Sequence, residues 1–130
     1  MLNLGACTWL GNTDARNQLA LAISQGLPTG DDPVVGGVIC WWSAENGHCA
    51  VIEQVVNNND VITSESGWSY TSAPIVRTQH RYRSGGAWQF MNGYTYQGII
   101  YPPGTPVGDD ERLLLFAILR EDEDVIKRWI

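Results

Sequence analysis

The chain has 130 residues, 44% of them apolar and 17% charged, a composition that suits one domain with a modest core. Its net charge of −6, with a single lysine at Lys127, argues against a nucleic-acid partner, because phosphate binding needs a positive face. No run approaches the ~20 apolar residues of a membrane span.

The opening MLNLGACTWL has no basic region ahead of an apolar segment and does not read as a secretory signal. Three cysteines, an odd and low count, argue against a disulfide framework, and free thiols in a chain made in the cytoplasm fit better. NTDARNQLALAISQGLP reads as one helix, capped by Asn12 or Thr13 and ended by Gly26 and Pro28. Leu19, Ala22 and Ile23 fall on one face at helical spacing. LPTGDDP is a loop of turn formers.

From there the pattern is β. GGVICWW, HCAVIEQVV and DVITSES are short runs rich in Val and Ile, joined by the turn-forming AENG and NNN. PIVRTQHRYR, AWQFM and YTYQGIIY follow, separated by Gly85-Gly86 and by Asn92-Gly93, a hairpin signal. The expected fold class is α+β, one helix and an antiparallel sheet of about six strands. After YPPGTPVG the composition changes, and apolar clusters at 113–119 and 125–130 predict an extra C-terminal helix or two. The arginines at 77–83, and His80 among them, read as a solvated strand edge.

Successive strand side chains point to opposite faces, so if His48 faces a cleft, Cys49 faces away as a small core residue. Cys40, His48 and Cys49 lack the paired spacing of a zinc site. A cysteine hydrolase needs a thiolate, a histidine to hold its proton and a third group to orient that histidine. Cys7 lies just before the predicted helix, where the dipole would lower a thiol pKa, whereas Cys40 sits inside a strand. Glu65, on the strand after the one carrying His48, is placed to reach the far imidazole nitrogen.

CTW at Cys7, then GGVICWW, GHCAVIEQV, ITSESGW and YTYQGIIYPPG, in that order, closely resemble the CHAP domain. This is the cysteine, histidine-dependent amidohydrolase/peptidase module of bacterial cell-wall hydrolases and phage lysins. The resemblance implies a papain-like CHAP fold over residues 1–104, with residues 105–130 a helical extension, a linker to a separate wall-binding domain or a self-association segment. It implies Cys7 as nucleophile, His48 as general base and then acid, and Glu65 as the orienting carboxylate. Trp9, Trp41, Trp42 and Trp68 become candidates for the walls of a substrate groove. The implied partner is bacterial peptidoglycan, cut at the N-acetylmuramoyl-L-alanine amide or at a peptide cross-bridge. Members that bind calcium do so through acidic residues near the nucleophile; this chain lacks that cluster, so no metal or other cofactor is expected. It departs from the family pattern at Gly11-Asn12, where members run straight into the helix, and between Gly30 and Gly36, where they carry more chain. Those departures motivate an alternative, a catalytically weakened wall-binding or phage structural module. An unrelated intracellular cysteine hydrolase is a third reading, and it leaves the motif order to coincidence.

Overall fold

A computed structural model of the chain describes residues 10–11, 13–65 and 77–106. The predicted helix is shorter than its sequence pattern. A 3-10 turn, Ala15–Asn17, leads into helix α1, Gln18–Ser24, and neither Asp14 nor Asn17 caps it through a side chain. The late start has a cause in the chain just before it. Gln18 Nε2–H donates to the carbonyls of Gly11 and Thr13, and a Cβ at Gly11 would collide with Leu21 Cδ2. The segment around Gly11 therefore lies back against α1 instead of extending it. The predicted end holds: Gly26 takes a φ of 77°, and the Leu27 N–H bonds the Ala22 carbonyl in a left-handed termination. Leu19 and Ala22 face the sheet, but Ile23 is 58% exposed and does not share their face.

The strands are β1 Thr29–Gly30, β2 Val38–Trp42, β3 His48–Asn57, β4 Asp60–Glu65, β5 Arg77–Ser84, β6 Ala87–Trp88 and β7 Thr95–Ile100. They form one antiparallel sheet in the order β1-β7-β2-β3-β4-β5-β6. Seven strands replace the expected six because the LPTG loop contributes β1, a two-residue edge paired with Ile99 and Ile100. AWQFM yields only Ala87 and Trp88. The mixed α+β class stands, with far more sheet than helix. The expected C-terminal helix, and the domain division near residue 105, fall on residues outside those described beyond 106.

Strands β2 to β6 are a simple meander, and β7 then returns to the far side of β2. Asn92-Gly93 is consequently a turn but not a hairpin, since β6 and β7 are not neighbours. In a flat sheet they would sit five spacings apart, roughly 24 Å. The six residues between them, which include a turn, cannot comfortably cover that distance. The sheet curls instead. Trp41 Nε1–H on β2 donates to the Trp88 carbonyl on β6 at 2.7 Å, although three strands separate them in the sheet order. The short segment after β1 joins the two ends of the curl. Trp88 Nε1–H and Arg83 donate to the Asp31 carbonyl, Arg83 also reaches Asp32, and Tyr96 and Tyr101 hydroxyls bond Asp31 and Asp32.

Strand alternation divides the core. Val38, Cys40, Cys49, Val51 and Ile100 pack with Ala22 on the helix face. Ile39, Trp41, Ala50, Ile52, Val61, Trp88, Ile99 and Tyr101 fill the inside of the curl. Residues 89–94 cross that inner face, and Phe90 and Tyr94 pack onto it.

Candidate active site

His48 opens β3 immediately after Gly47, whose φ of 72° and close approach to backbone make it the residue that sets this corner. A Cβ there would meet the Trp41 carbonyl oxygen at 2.5 Å and the Arg16 nitrogen at 2.6 Å. The Gly47 N–H bonds Ser43 Oγ, and the Arg16 N–H bonds the Asn46 carbonyl, so the turn before α1 is seated on the loop that delivers the imidazole. His48 pairs with Trp41 across β2 and β3 and so shares its inward face.

Glu65 ends β4 on that same face, where Val61, Thr63 and Glu65 alternate as buried residues. Continuing the Val51–Ser64 register sets it diagonally from His48. His48 Nε2–H donates to Glu65 Oε1 at 2.7 Å. The carboxylate, 1% exposed, accepts three further bonds: Thr63 Oγ1–H and Arg81 Nε–H on Oε2, each at 2.6 Å, and Arg81 Nη2–H on Oε1 at 2.5 Å. Burial pushes this carboxyl up, but the bonds from Arg81, His48 and Thr63 and the guanidinium charge outweigh it and hold the group down at about 2. It is ionised throughout the neutral range.

Aromatic rings fix the imidazole in place. Phe90 lies parallel to it at 4.5 Å and Trp41 stacks nearby at 5.9 Å, leaving the His48 side chain 11% exposed. Arg81 lies over Phe90 at 4.5 Å and near Trp41 at 5.8 Å, a cation on two π-faces. Chemically, this is an imidazole held in one orientation by a permanent anion, with Nε2 committed to the carboxylate.

Of the residues singled out from sequence, His48 and Glu65 come together, while Cys7, Trp9 and Trp68 lie outside the described residues. Trp41 is 1% exposed, and its indole sits in the core with its N–H on the Trp88 carbonyl. Trp42 is 45% exposed, but strand alternation turns it to the helix face, away from His48. Cys49 packs behind the histidine with Val51 and Cys40, as its neighbouring position predicts. Its Sγ lies 3.8 Å from that of Cys40, and the Cys40 thiol is pushed well up by this neighbour and by burial. Both thiols are buried on the helix face of the sheet, opposite the imidazole. His80 is half exposed and pairs with Asp60 at 3.0 Å.

The reading of 77–83 as a solvated edge fails at Arg81, which is buried by its pairing with Glu65. A signal existed: a glutamate in phase with buried Val61 and Thr63 requires a cation, and β5 is the adjacent basic strand. The sequence does not flag Phe90, because AWQFM reads as an ordinary short strand and nothing local aims its ring at the imidazole. Among the described residues no three histidine, cysteine, aspartate or glutamate side chains converge as metal ligands would. Among them, too, no helix is long and apolar enough to cross a membrane. Comparison of the chain with protein-family models found no match, and comparison with curated proteins found none.

Proposed function

We propose that the chain is a cysteine-dependent peptidoglycan hydrolase built on a papain-like CHAP fold, acting on the bacterial cell wall as a phage lysin does. The observation that carries this reading is the 2.7 Å bond from His48 Nε2 to an ionised, buried Glu65. That bond fixes the imidazole tautomer so that Nδ1 is the nitrogen that serves a nucleophile, which the motif order makes Cys7. A short helix packed on an antiparallel sheet agrees with the family architecture.

The reaction then runs in two halves. Cys7 gives its proton to His48 Nδ1, and its sulfur attacks an amide carbonyl in peptidoglycan. The tetrahedral oxyanion collapses as His48 protonates the departing nitrogen, leaving a thioester. Water, deprotonated by His48, cleaves that thioester and frees the sulfur. Glu65 stabilises the imidazolium in both halves. No cofactor takes part. Trp9 and Trp68 are the tryptophans left as candidates for stacking against the substrate.

The test is clearing of a bacterial cell-wall suspension. Wild type lowers the turbidity and Cys7→Ala does not, while both sediment with walls. Mass spectrometry of the released muropeptides then assigns the bond as the muramoyl–alanine amide or a cross-bridge peptide. Phe90 lying flat on His48 favours a second reading, a weakened wall-binding module with restricted access to its imidazole. Wild type that pellets with walls and clears nothing selects it.

A further inference from the structure

Arg81 stands outside the thiol, imidazole and carboxylate of the proposed mechanism, yet among the described residues it makes two of the bonds on that carboxylate. Its Nε–H and Nη2–H engage both oxygens of Glu65, the second on the oxygen that also accepts from His48. Among the described residues, the titratable or charged groups that bond Glu65 are His48 from β3 and Arg81 from β5; Thr63 adds a hydroxyl from β4 itself. Trp41 and Phe90 add uncharged ring faces beside Arg81.

A general base must be neutral when it takes a proton from a thiol. Beside a neutral imidazole, a buried carboxylate with no other cation would take up a proton itself. The two groups would then share one proton and titrate as a coupled pair. A guanidinium keeps its charge throughout this range. It also matches a carboxylate with two parallel donors, so it fixes direction as well as charge.

We infer that Arg81 is a positioning residue of this site, clamping Glu65 as an ionised carboxylate aimed at His48 Nε2 whatever the protonation of His48. The inference rests on the hydrolase reading only for its consequence in turnover.

The experiment follows the Glu65 carboxyl by ¹³C NMR from pH 3 to 8 in wild type, Arg81→Met, Arg81→Gln and Arg81→Lys. Wild-type Glu65 shows no protonation between pH 5 and 7. In the two neutral variants its titration moves up by about two pH units or more. Arg81→Lys keeps the titration low but loses the two-pronged bond, and its kcat on cell walls falls by about 10²-fold with KM unchanged. A wild-type Glu65 that protonates between pH 5 and 7 overturns the inference, and so does a folded neutral variant in which its titration stays put. The wild-type measurement needs no variant, so it decides the matter even where Arg81→Met and Arg81→Gln do not fold. If wild type clears no walls while Glu65 behaves as described, the hydrolase reading falls and the clamp stands. Clearing with an unmoved Glu65 gives the reverse.

Discussion

At the scale of single residues, Glu65 carries the most consequence. Four hydrogen bonds converge on a carboxylate that burial alone would neutralise. Its value of about 2 in the folded chain lies below the ~4.3 of an ordinary glutamate, so the unfolded chain binds the proton more readily. The stability this contributes is fully present above pH ~4.3 and is lost as pH falls toward 2, a total of about 2–3 kcal/mol. Urea unfolding at pH 7 and pH 3 checks the sign. Wild type loses more stability between the two than Glu65→Gln does, and parallel losses would show that the carboxylate is not held by its partners. At pH 7, Glu65→Gln is itself less stable by about 3 kcal/mol, because it leaves the buried Arg81 charge without its anion. The pairing of His48 with Glu65 was readable from two strand patterns and one short turn. The need of Glu65 for a cation was also readable, but not that Arg81 supplies it, because RTQHRYRS, with Tyr82 its one aromatic residue besides His80, has no apolar alternation to say which side turns inward.

At the scale of elements, the decisive joint is the corner before β3. Gly47 serves three neighbours at once: the end of β2, the turn before α1 and the first residue of β3. Gly47→Ala puts a Cβ against two backbone groups that cannot swing aside, and adds the strain of a left-handed φ. The expected cost is at least about 2 kcal/mol in urea unfolding, accompanied, on the proposed hydrolase function, by loss of wall clearing. An alanine variant with unchanged midpoint and activity would mean that this corner relaxes freely. Helix α1 teaches the complementary lesson. Its end was legible because Gly26 supplies a local left-handed stop, whereas its start depended on Gly11 folding back onto Leu21 and Gln18, a contact that no local propensity encodes.

At the scale of the whole molecule, the curl of the sheet makes the site, since it brings β6 and the segment after it over β2 and β3. Trp88 is the pivot: buried, bonded through its carbonyl to Trp41 and through its indole to Asp31, with Arg83 over its ring at 5.2 Å. Trp88→Ala costs about 3–5 kcal/mol. Trp88→Phe keeps most of the bulk, loses one hydrogen bond and costs nearer 1–2 kcal/mol. Equal losses in urea unfolding would mean that bulk does not hold the curl. The order of strands in the chain, the antiparallel class, the inward histidine and the outward cysteine behind it were all present in the amino-acid order, because period-two alternation and turn residues act over a few positions. The choice of Arg81 as the cation on Glu65, the burial of Trp41 and the seating of Phe90 on the imidazole belong to the folded object alone. They depend on which strands meet across the curl, and that is settled by contacts between residues dozens of positions apart, where local pattern has no say.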